Sequence, residues 1–339
     1  MTDADALHRS LLTLDSHVDF PWPDPVPPYR ETDRCVDFAK MRAGGIAATV
    51  FVAYVPQGPR TAEGWAEAAA RADGMLRAIH DFAAGANGIP ARVASTVAEI
   101  EAAHAAGALS LIPCVENGHA MGQDPGRIAG WRSLGARYLT ITHNGHNALA
   151  DAAIPLPALG DAAELHGGLS DLGRAAVAEL NRLGMLIDVS HASKASMLQA
   201  AEISRTPVVA THSSMRALCD HPRNLDDEQL DVIRDVGGVV QVTAVPGFLR
   251  FEARKAEDVT VADFVDHIDH AVKRIGIAHV GIGSDFDGGG HVTGWTNTAE
   301  SPAVTAELLR RGYDRDAIAA LWGRNFLRVL RVAEEKAAV

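Results

Sequence analysis

The sequence predicts a single (β/α)8 barrel, and three features of the chain lead to this prediction. Eight short runs rich in apolar and β-branched residues have the character of strands. Helical segments or loops separate them almost throughout the 339 residues, and no linker, repeat or change of composition marks a second domain. Ionisable residues close most of the runs, which is where such a barrel has its active site. An open parallel sheet is the alternative, but no glycine-rich phosphate loop follows the first run. We therefore predict one domain over residues 1–339.

The elements are predicted in βα order along the chain. The clearest helix is 61–84, because Trp65, Ala69, Ala72 and Leu76 recur at helical spacing. The other predicted helices are 97–106, 126–134, 170–183, 193–203, 226–236, 260–275, 302–311 and 314–332. The predicted strands are 13–20, 45–55, 109–116, 137–143, 185–191, 207–212, 238–245 and 280–285.

Two connecting segments are expected to shape a binding site. The loop at 144–168 is unusually long for a compact domain and rich in Gly, Pro and Asn, which indicates a binding or lid loop. The segment 245–258 is expected to contribute to side-chain pockets as well.

Composition excludes several classes of partner. The formal net charge is −12 and no basic tract accompanies it, which argues against nucleic acid and anionic membrane surfaces as partners. The first residues are acidic where a signal peptide is basic, and no apolar segment approaches the roughly 20 residues of a membrane helix. We therefore expect a cytoplasmic protein. The three cysteines lack CxxC spacing, so neither a disulfide framework nor a cysteine zinc site is expected.

The first predicted strand carries His17 and Asp19 two residues apart. Positions i and i+2 of a strand face the same side, so this imidazole and this carboxylate are directed into one space. A strand can offer two metal ligands in this way. The structural alternative is a hydrogen-bonded core histidine at position 17 and a cap at position 19.

The same kind of residue recurs at the ends of the other strands. The carboxyl ends of barrel strands meet at one mouth, so these side chains are expected to converge. They are His17, Asp19, Glu116, His143, His191, His212, Asp285 and Asp287. Imidazoles with carboxylates suit zinc better than manganese or iron. The set is too large for one tetrahedral ion, but it suffices for two ions that share a carboxylate, and hydrolysis is the natural reaction of such a site.

Several nearby polar residues are given lesser roles. Asp15 shares the parity of His17, so it either supports a ligand histidine or is a buried aspartate bonded to backbone. Asp188 and Ser190 have the opposite parity to His191 and are expected to be structural. Four loop histidines are left outside the site as solvated residues, namely His119, His146, His166 and His291.

Eight strings of the chain resemble motifs of one family. They are LDSHVDF, CVENG, YLTITHN, LIDVSHAS, VVATHSSMRAL, HPRNL, GIGSDFDGG and GRNFLRVL, in order from about residue 14 to residue 330. Together they resemble the membrane dipeptidase (renal dipeptidase) family of zinc peptidases, within the metal-dependent amidohydrolase superfamily. A bacterial, cytoplasmic member without a leader or a lipid anchor is expected.

The resemblance implies a role for each matching residue. It implies two Zn²⁺ ions, one held by His17 and Asp19 and the other by His191 and His212, with Glu116 as the bridge. His143 would stabilise the tetrahedral intermediate, and Asp285 would move the proton of the bridging water to the leaving amine. Arg223 in HPRNL would pair with the carboxylate of the substrate.

The implied reaction is hydrolysis of L-Xaa-L-Xaa or L-Xaa-D-Xaa dipeptides by a metal-activated bridging hydroxide. A homodimer is an expectation from the family. An alternative keeps the barrel and the metals but assigns a non-peptide cyclic amide, lactone or β-lactam as the substrate. A catalytically silent metal-binding or scaffold protein is the third hypothesis; it predicts at least one missing ligand, and none is missing.

Overall fold

Eight parallel strands form the closed wall of a barrel in the computed structural model, which describes residues 2–23, 29–85, 88–250 and 256–338. Their order around the wall is β1-β2-β4-β5-β6-β7-β8-β9, and the short strand β3 pairs with the start of β4 outside this ring. The strands are β1 (Leu14–Asp19), β2 (Ala48–Tyr54), β3 (Ala91–Val93), β4 (Leu109–Glu116), β5 (Tyr138–Thr140), β6 (Leu186–Asp188), β7 (Val209–Ala210), β8 (Val239–Val242) and β9 (Val280–Ile282).

The ring closes between β1 and the segment that follows β9. The amide of Asp285 donates to the carbonyl of His17 and the amide of Asp19 donates to the carbonyl of Phe286, both at 3.0 Å. These bonds tie the first strand to residues that lie more than 260 positions later in the chain. The predicted (β/α)8 fold is confirmed.

The helices surround the barrel. They are α1 (Asp3–Arg9), α2 (Phe38–Gly44), α3 (Ala62–Ala84), α4 (Val97–Ala105), α5 (Arg127–Ser133), α6 (Asp171–Leu183), α7 (Lys194–Ile203), α8 (Asp227–Asp235), α9 (Pro246–Leu249), α10 (Val261–Ile275), α11 (Pro302–Arg310), α12 (Arg315–Ala319) and α13 (Asn325–Glu335). The helices α1, α2 and α9 and the strand β3 were not predicted. All four are short, so they carry little periodicity for a sequence pattern to show.

The last predicted helix, 314–332, contains a π-helical turn at Ala320–Arg324 between α12 and α13. Gly323 lies in this turn, where a Cβ atom would stand only 2.7 Å from the carbonyl oxygen of Leu12. The chain before β1 therefore packs directly on the turn, and only glycine allows this approach.

An apolar cluster closes the amino-terminal end of the barrel. Interior residues of the strands, such as Val50, Ile112 and Leu186, belong to the same buried cluster as Phe326 and Leu330 of α13. Because this end is apolar, polar chemistry is confined to the opposite end of the barrel. Among the residues that the structure describes, no helix combines the length and apolar character needed to cross a membrane.

Strands β5 to β9 are shorter than predicted. β5 ends at Thr140, β6 at Asp188 and β9 at Ile282, each three residues before the ionisable residue that was expected to close the strand. His143, His191 and Asp285 therefore lie in loops just beyond the barrel wall, and so does His212, two residues after β7.

Candidate active site

Glu116 is the centre of a cluster of imidazoles at the carboxyl ends of the strands. Its Oε2 lies 3.5 Å from Nε2 of His17, and its Oε1 lies 3.3 Å from Nε2 of His191 and 3.4 Å from Nε2 of His212. Asp19 Oδ1 lies 3.7 Å from the same Nε2 of His17. The structure thus brings together all five residues predicted as metal ligands. One oxygen of Glu116 lies near His17, and the other lies near His191 and His212.

Several atoms of this cluster have no hydrogen-bond partner although they are buried. They are Nε2 of His17, Oδ1 of Asp19 and Oε1 of Glu116. Leaving buried polar groups unpaired costs about 1–3 kcal/mol each, so a fold retains them when something else satisfies them. Nitrogen and oxygen atoms directed at one space are the donor set of a zinc site. The residues present therefore fit a bound metal.

His143 and Asp285 border the same cluster. Ligand atoms of Glu116, His143 and His191 all lie within 4.8 Å of one another, as do those of His17, Asp19 and Asp285. The ring of His143 lies 4.1 Å from that of His191 and 4.7 Å from that of Tyr54, measured between centroids. By distance alone either residue can reach a metal or a substrate held there.

The backbone at the mouth adopts conformations that non-glycine residues seldom occupy. His191 has φ 65°, Asp285 has φ 62° and Asp287 has φ 64°. Such left-handed residues cost energy that surrounding contacts must offset, and they concentrate at functional sites. Here they turn the chain sharply after β6 and β9, which aims two of the predicted site residues inward.

Three side chains hold the Nδ1 atoms of the ligand-type histidines. The hydroxyl of Thr211 lies 3.2 Å from Nδ1 of His17 and 3.0 Å from Nδ1 of His212. Tyr138 Oη lies 3.0 Å from Nδ1 of His17, and Asn144 Oδ1 lies 3.1 Å from Nδ1 of His191. Each Nε2 is thereby left to face the centre of the cluster.

Two predicted aspartates prove to hold backbone and loops. Asp15 Oδ1 accepts from the amides of His17 at 3.3 Å and Ser284 at 2.9 Å, so of its two predicted roles the backbone-bonded one is found. Asp287 was expected to converge with Asp285 at the mouth, but it accepts from Arg34 Nη2 at 2.9 Å and from the amide of Cys35 at 2.8 Å. Asp287 therefore holds the loop that follows β1. It does not follow the side-chain alternation of a strand, because φ is positive at positions 285 and 287.

Burial separates the protonation states of the histidines. It lowers the pKa of His191 and of His212 well below the ordinary imidazole value, and that of His143 to about 4. Burial acts in the same direction on His17, but the carboxylate of Glu116 outweighs it and raises the pKa of His17 to about 9. One imidazole is therefore protonated at neutral pH in the metal-free cluster, and three are neutral.

The carboxylates divide in a similar way. Burial raises the pKa of Asp285 to about 7, and burial together with Glu116 raises that of Asp19 well above its ordinary range. Burial also opposes ionisation of Glu116, but the neighbouring His17 prevails and lowers the pKa of this carboxyl. A group with a pKa near 7, such as Asp285, can both accept and release a proton at neutral pH.

Arg223 provides a buried positive charge beside the cluster. Its side chain is 2% exposed, it donates from Nη2 to the carbonyl of His212 at 3.2 Å, and its guanidinium lies 5.4 Å from the ring centre of Phe248. Burial lowers its pKa to about 10, so it remains charged. Its Nε has no hydrogen-bond partner, which leaves a donor for an anionic group of a ligand.

A cavity of about 590 Å³ opens beside His191 and Arg223. The long loop predicted as a binding loop supplies part of its wall, including Ala152, Pro155 and Glu164. This volume is that of a small-molecule site. Of the segment 245–258, residues 251–255 lie outside the described residues; Phe248, before them, packs against Arg223.

Sequence reasoning missed Tyr54, Tyr138, Asn144 and Thr211 as parts of the site. Asn144 and Thr211 adjoin histidines that it selected, and this adjacency was the available signal. The loop histidines were placed outside the site as solvated residues, but His119 and His146 are buried. His146 Nδ1 accepts from the amide of Ala152 at 3.0 Å, so it stabilises the long loop. His166 and His291 are exposed, as expected.

Comparisons with known proteins agree with this site. The family model "Membrane dipeptidase (Peptidase family M19)" matches residues 1–339. The dipeptidase aclJ of Aspergillus oryzae is 37% identical over 247 residues, which are 72% of this chain and 57% of that protein. The chain thus matches only a little over half the length of this curated relative.

Two solved structures share the fold along nearly their whole length. The probable dipeptidase PvdM from Pseudomonas aeruginosa superimposes with a TM-score of 0.91 at 29% identity and covers 98% of both chains. A metallo peptidase from Rhodobacter sphaeroides, solved with a phosphinate mimic of the dipeptide L-Ala-D-Ala, gives a TM-score of 0.80 at 29% identity and covers 89% of this chain and 91% of its own. Because the family model matches the chain over residues 1–339, the chain belongs to the membrane dipeptidase family, peptidase family M19.

Proposed function

We propose that this protein is a metal-dependent dipeptidase that uses two zinc ions to hydrolyse the peptide bond of dipeptides. The observation that carries the proposal is the position of Glu116, whose two carboxylate oxygens face different histidines at 3.3–3.5 Å. A carboxylate placed between two groups of imidazole nitrogens can supply a ligand to each of two metal ions. Membership of a peptidase family supports the same reaction.

In the proposed site His17 and Asp19 would hold one zinc, His191 and His212 would hold the other, and Glu116 would contribute a ligand to both. Zinc bound there would lower the pKa of a coordinated water and polarise a carbonyl oxygen. The neutral state of His191 and His212 suits them as ligands, because a metal binds the unprotonated imidazole.

The protein residues around the metals would carry the remaining steps. His143 is neutral, so it can donate a hydrogen bond to the oxygen that becomes negative as the carbonyl is attacked. Asp285, with a pKa near 7, can take the proton of the attacking water and pass it to the nitrogen of the leaving amine. This transfer converts a poor leaving group into a free amine.

Arg223 would select the substrate. Arg223 lines the 590 Å³ cavity, and its buried guanidinium, with Nε unpaired, would donate to the carboxylate of a dipeptide bound there. Such a contact favours short peptides with a free carboxyl end. The related Rhodobacter sphaeroides enzyme was solved with a mimic of L-Ala-D-Ala, which makes dipeptides with a D-residue at the carboxyl end substrates to test beside L,L-dipeptides.

The test is a hydrolysis panel with metal-free protein, with and without added zinc. The panel contains L-Xaa-L-Xaa, L-Xaa-D-Xaa and N-acylated amino acids, and the measurement is the release of free amino acids. We expect zinc-dependent release from free dipeptides. No release from any dipeptide by protein that binds two zinc ions would contradict the dipeptidase proposal and leave a cyclic amide, lactone or β-lactam as the substrate class.

A further inference from the structure

One buried carboxylate, Asp188, lies behind the proposed metal site and contacts none of the metal-ligand side chains directly. It is fully buried at the end of β6. Its Oδ1 accepts from the amides of Ser190 and Thr211, each at 3.0 Å. Its Oδ2 accepts from the hydroxyls of Thr140 at 2.6 Å and Thr211 at 2.7 Å. Four donors around one carboxylate fix its orientation.

The bond from Thr211 determines the direction of two further hydrogen bonds. A hydroxyl has one proton, and Thr211 donates it to Asp188 Oδ2, so its oxygen can only accept from other groups. The neighbours of that oxygen include Nδ1 of His17 at 3.2 Å and Nδ1 of His212 at 3.0 Å. Both rings must therefore carry their proton on Nδ1.

Tyr138 imposes the same state on His17 independently. Its hydroxyl donates to the carbonyl of Ser16 at 3.0 Å, and a carbonyl only accepts. The phenolic oxygen can then only accept from Nδ1 of His17, 3.0 Å away. His212 has no second support of this kind among the described residues, so it depends on Thr211.

We infer that Asp188, acting through Thr211, is a positioning residue that presents Nε2 of both His17 and His212 to the metals. The inference rests on the proposed ligand assignment, in which these two histidines hold different zinc ions. One carboxylate would thus orient a ligand in each half of the binuclear site. Partners of this kind typically contribute about 10- to 100-fold to metal affinity.

The test compares four variants by zinc affinity and stoichiometry, measured by competition with a chromophoric chelator on metal-free protein. Thr211→Val removes the hydroxyl that both imidazoles use, and Thr211→Ser restores it. Thr140→Val is the matched control, because it removes a hydroxyl bond to the same Oδ2 of Asp188 but touches neither imidazole. Asp188→Asn keeps the shape but replaces one acceptor oxygen with a donor.

We expect Thr211→Val to bind zinc about 10- to 100-fold more weakly than wild type, with the larger loss at the site that contains His212. Thr140→Val and Thr211→Ser should stay close to wild type. Asp188→Asn should be weaker still than Thr211→Val. Its amide donates to Thr211, so the hydroxyl proton must point at an imidazole Nδ1 and move the ring proton to Nε2. Melting temperatures of the metal-free variants check that all are folded.

Equal zinc affinity of Thr211→Val and Thr140→Val would overturn the inference, even if Asp188→Asn failed to fold. That result would leave the dipeptidase proposal intact, because wild type would still bind two zinc ions. A failure of the dipeptidase proposal would give a different result. Wild-type protein would then bind no zinc, or His191→Ala would bind zinc as wild type does.

Discussion

The two halves of the barrel build the site in different ways. In the first half, strands β1, β2 and β4 have six, seven and eight residues, and His17, Asp19 and Glu116 lie within the strands themselves. In the second half, strands β5 to β9 have two to four residues, and the corresponding histidines and Asp285 lie beyond the strand ends. The first group therefore lies on paired strands, whereas the second group lies outside the ladders and depends on other contacts.

The difference shows where rigidity comes from at a barrel mouth. A strand residue has its backbone held by a ladder, and His17 has further support for its ring from Thr211 and Tyr138. A loop residue needs other partners, and the second half supplies them from Asp188, Thr211 and Asn144. A positive φ occurs in both halves, at Asn117 directly after Glu116 and at His191 and Asp285.

Glu116 joins the two halves, so its loss should have the largest effect. We expect Glu116→Gln to lower turnover by more than about 10³-fold, beyond the loss of one oxyanion donor, and to weaken both zinc sites. His191→Ala should also abolish turnover with the fold intact, but it should lose mainly the second-half zinc. Zinc stoichiometry separates the two variants, and circular dichroism checks that both are folded. A His191→Ala protein with wild-type activity would contradict the metal assignment.

His143 belongs to the second half, and in the proposed site it acts on the substrate and holds no metal. We expect His143→Ala to lower kcat by about 10²–10³-fold, because a positioned oxyanion donor contributes on that scale. Zinc affinity should change little, and this distinguishes it from His191→Ala. Simultaneous loss of zinc and activity in His143→Ala would instead make His143 a ligand, which its distance to Glu116 and His191 permits.

Arg223 tests substrate selection in the second half. We expect Arg223→Met to raise KM for dipeptides roughly 10- to 100-fold, because hydrogen bonds to charged groups contribute about 1.5–3 kcal/mol. Arg216→Met is the matched control, since Arg216 lines the same cavity but is exposed and paired with Asp220 at 2.8 Å. The KM of dipeptide amides, which lack the carboxylate, should not change in Arg223→Met. Equal effects of the two substitutions would count against a carboxylate contact.

The smallest expected difference between the two halves lies in the number of protons that zinc binding releases. The pKa of His17 is raised from 6.5 to about 9, whereas those of His191 and His212 are lowered. His17 therefore stabilises the metal-free protein fully below about pH 6.5, and this contribution is lost as the pH rises through about 9. A ligand histidine must be unprotonated, so zinc should displace about one proton from His17 near pH 7.

Calorimetry in buffers of different ionisation enthalpy measures that proton. Zinc affinity should also increase as the pH rises towards 9, by about tenfold per unit for one competing proton. His17→Ala should bind the first-half zinc weakly and should release less proton than wild type. Undiminished release in His17→Ala would place the displaced proton on a carboxyl such as Asp19.

The sequence predicted most of the ligand-type cluster because alternation along a strand is a local property. His17 and Asp19 two residues apart, and Glu116 at the end of an apolar run, define their own direction once the strand is assigned. The same argument does not apply to loop residues, because they lack the alternation of a strand. The parity rule misplaced Asp287, since a positive φ at position 285 redirects the chain before position 287 is reached.

By itself the sequence determined the barrel, the family resemblance and which ionisable side chains gather at one mouth, because all three depend on short periodic patterns in chain order. Only the tertiary structure decided which polar group supports which imidazole. Asp15 meets Ser284 across 269 positions, and Asp188 meets Thr211 across 23. Such contacts arise when closure of the barrel brings distant residues together, and no local pattern encodes them.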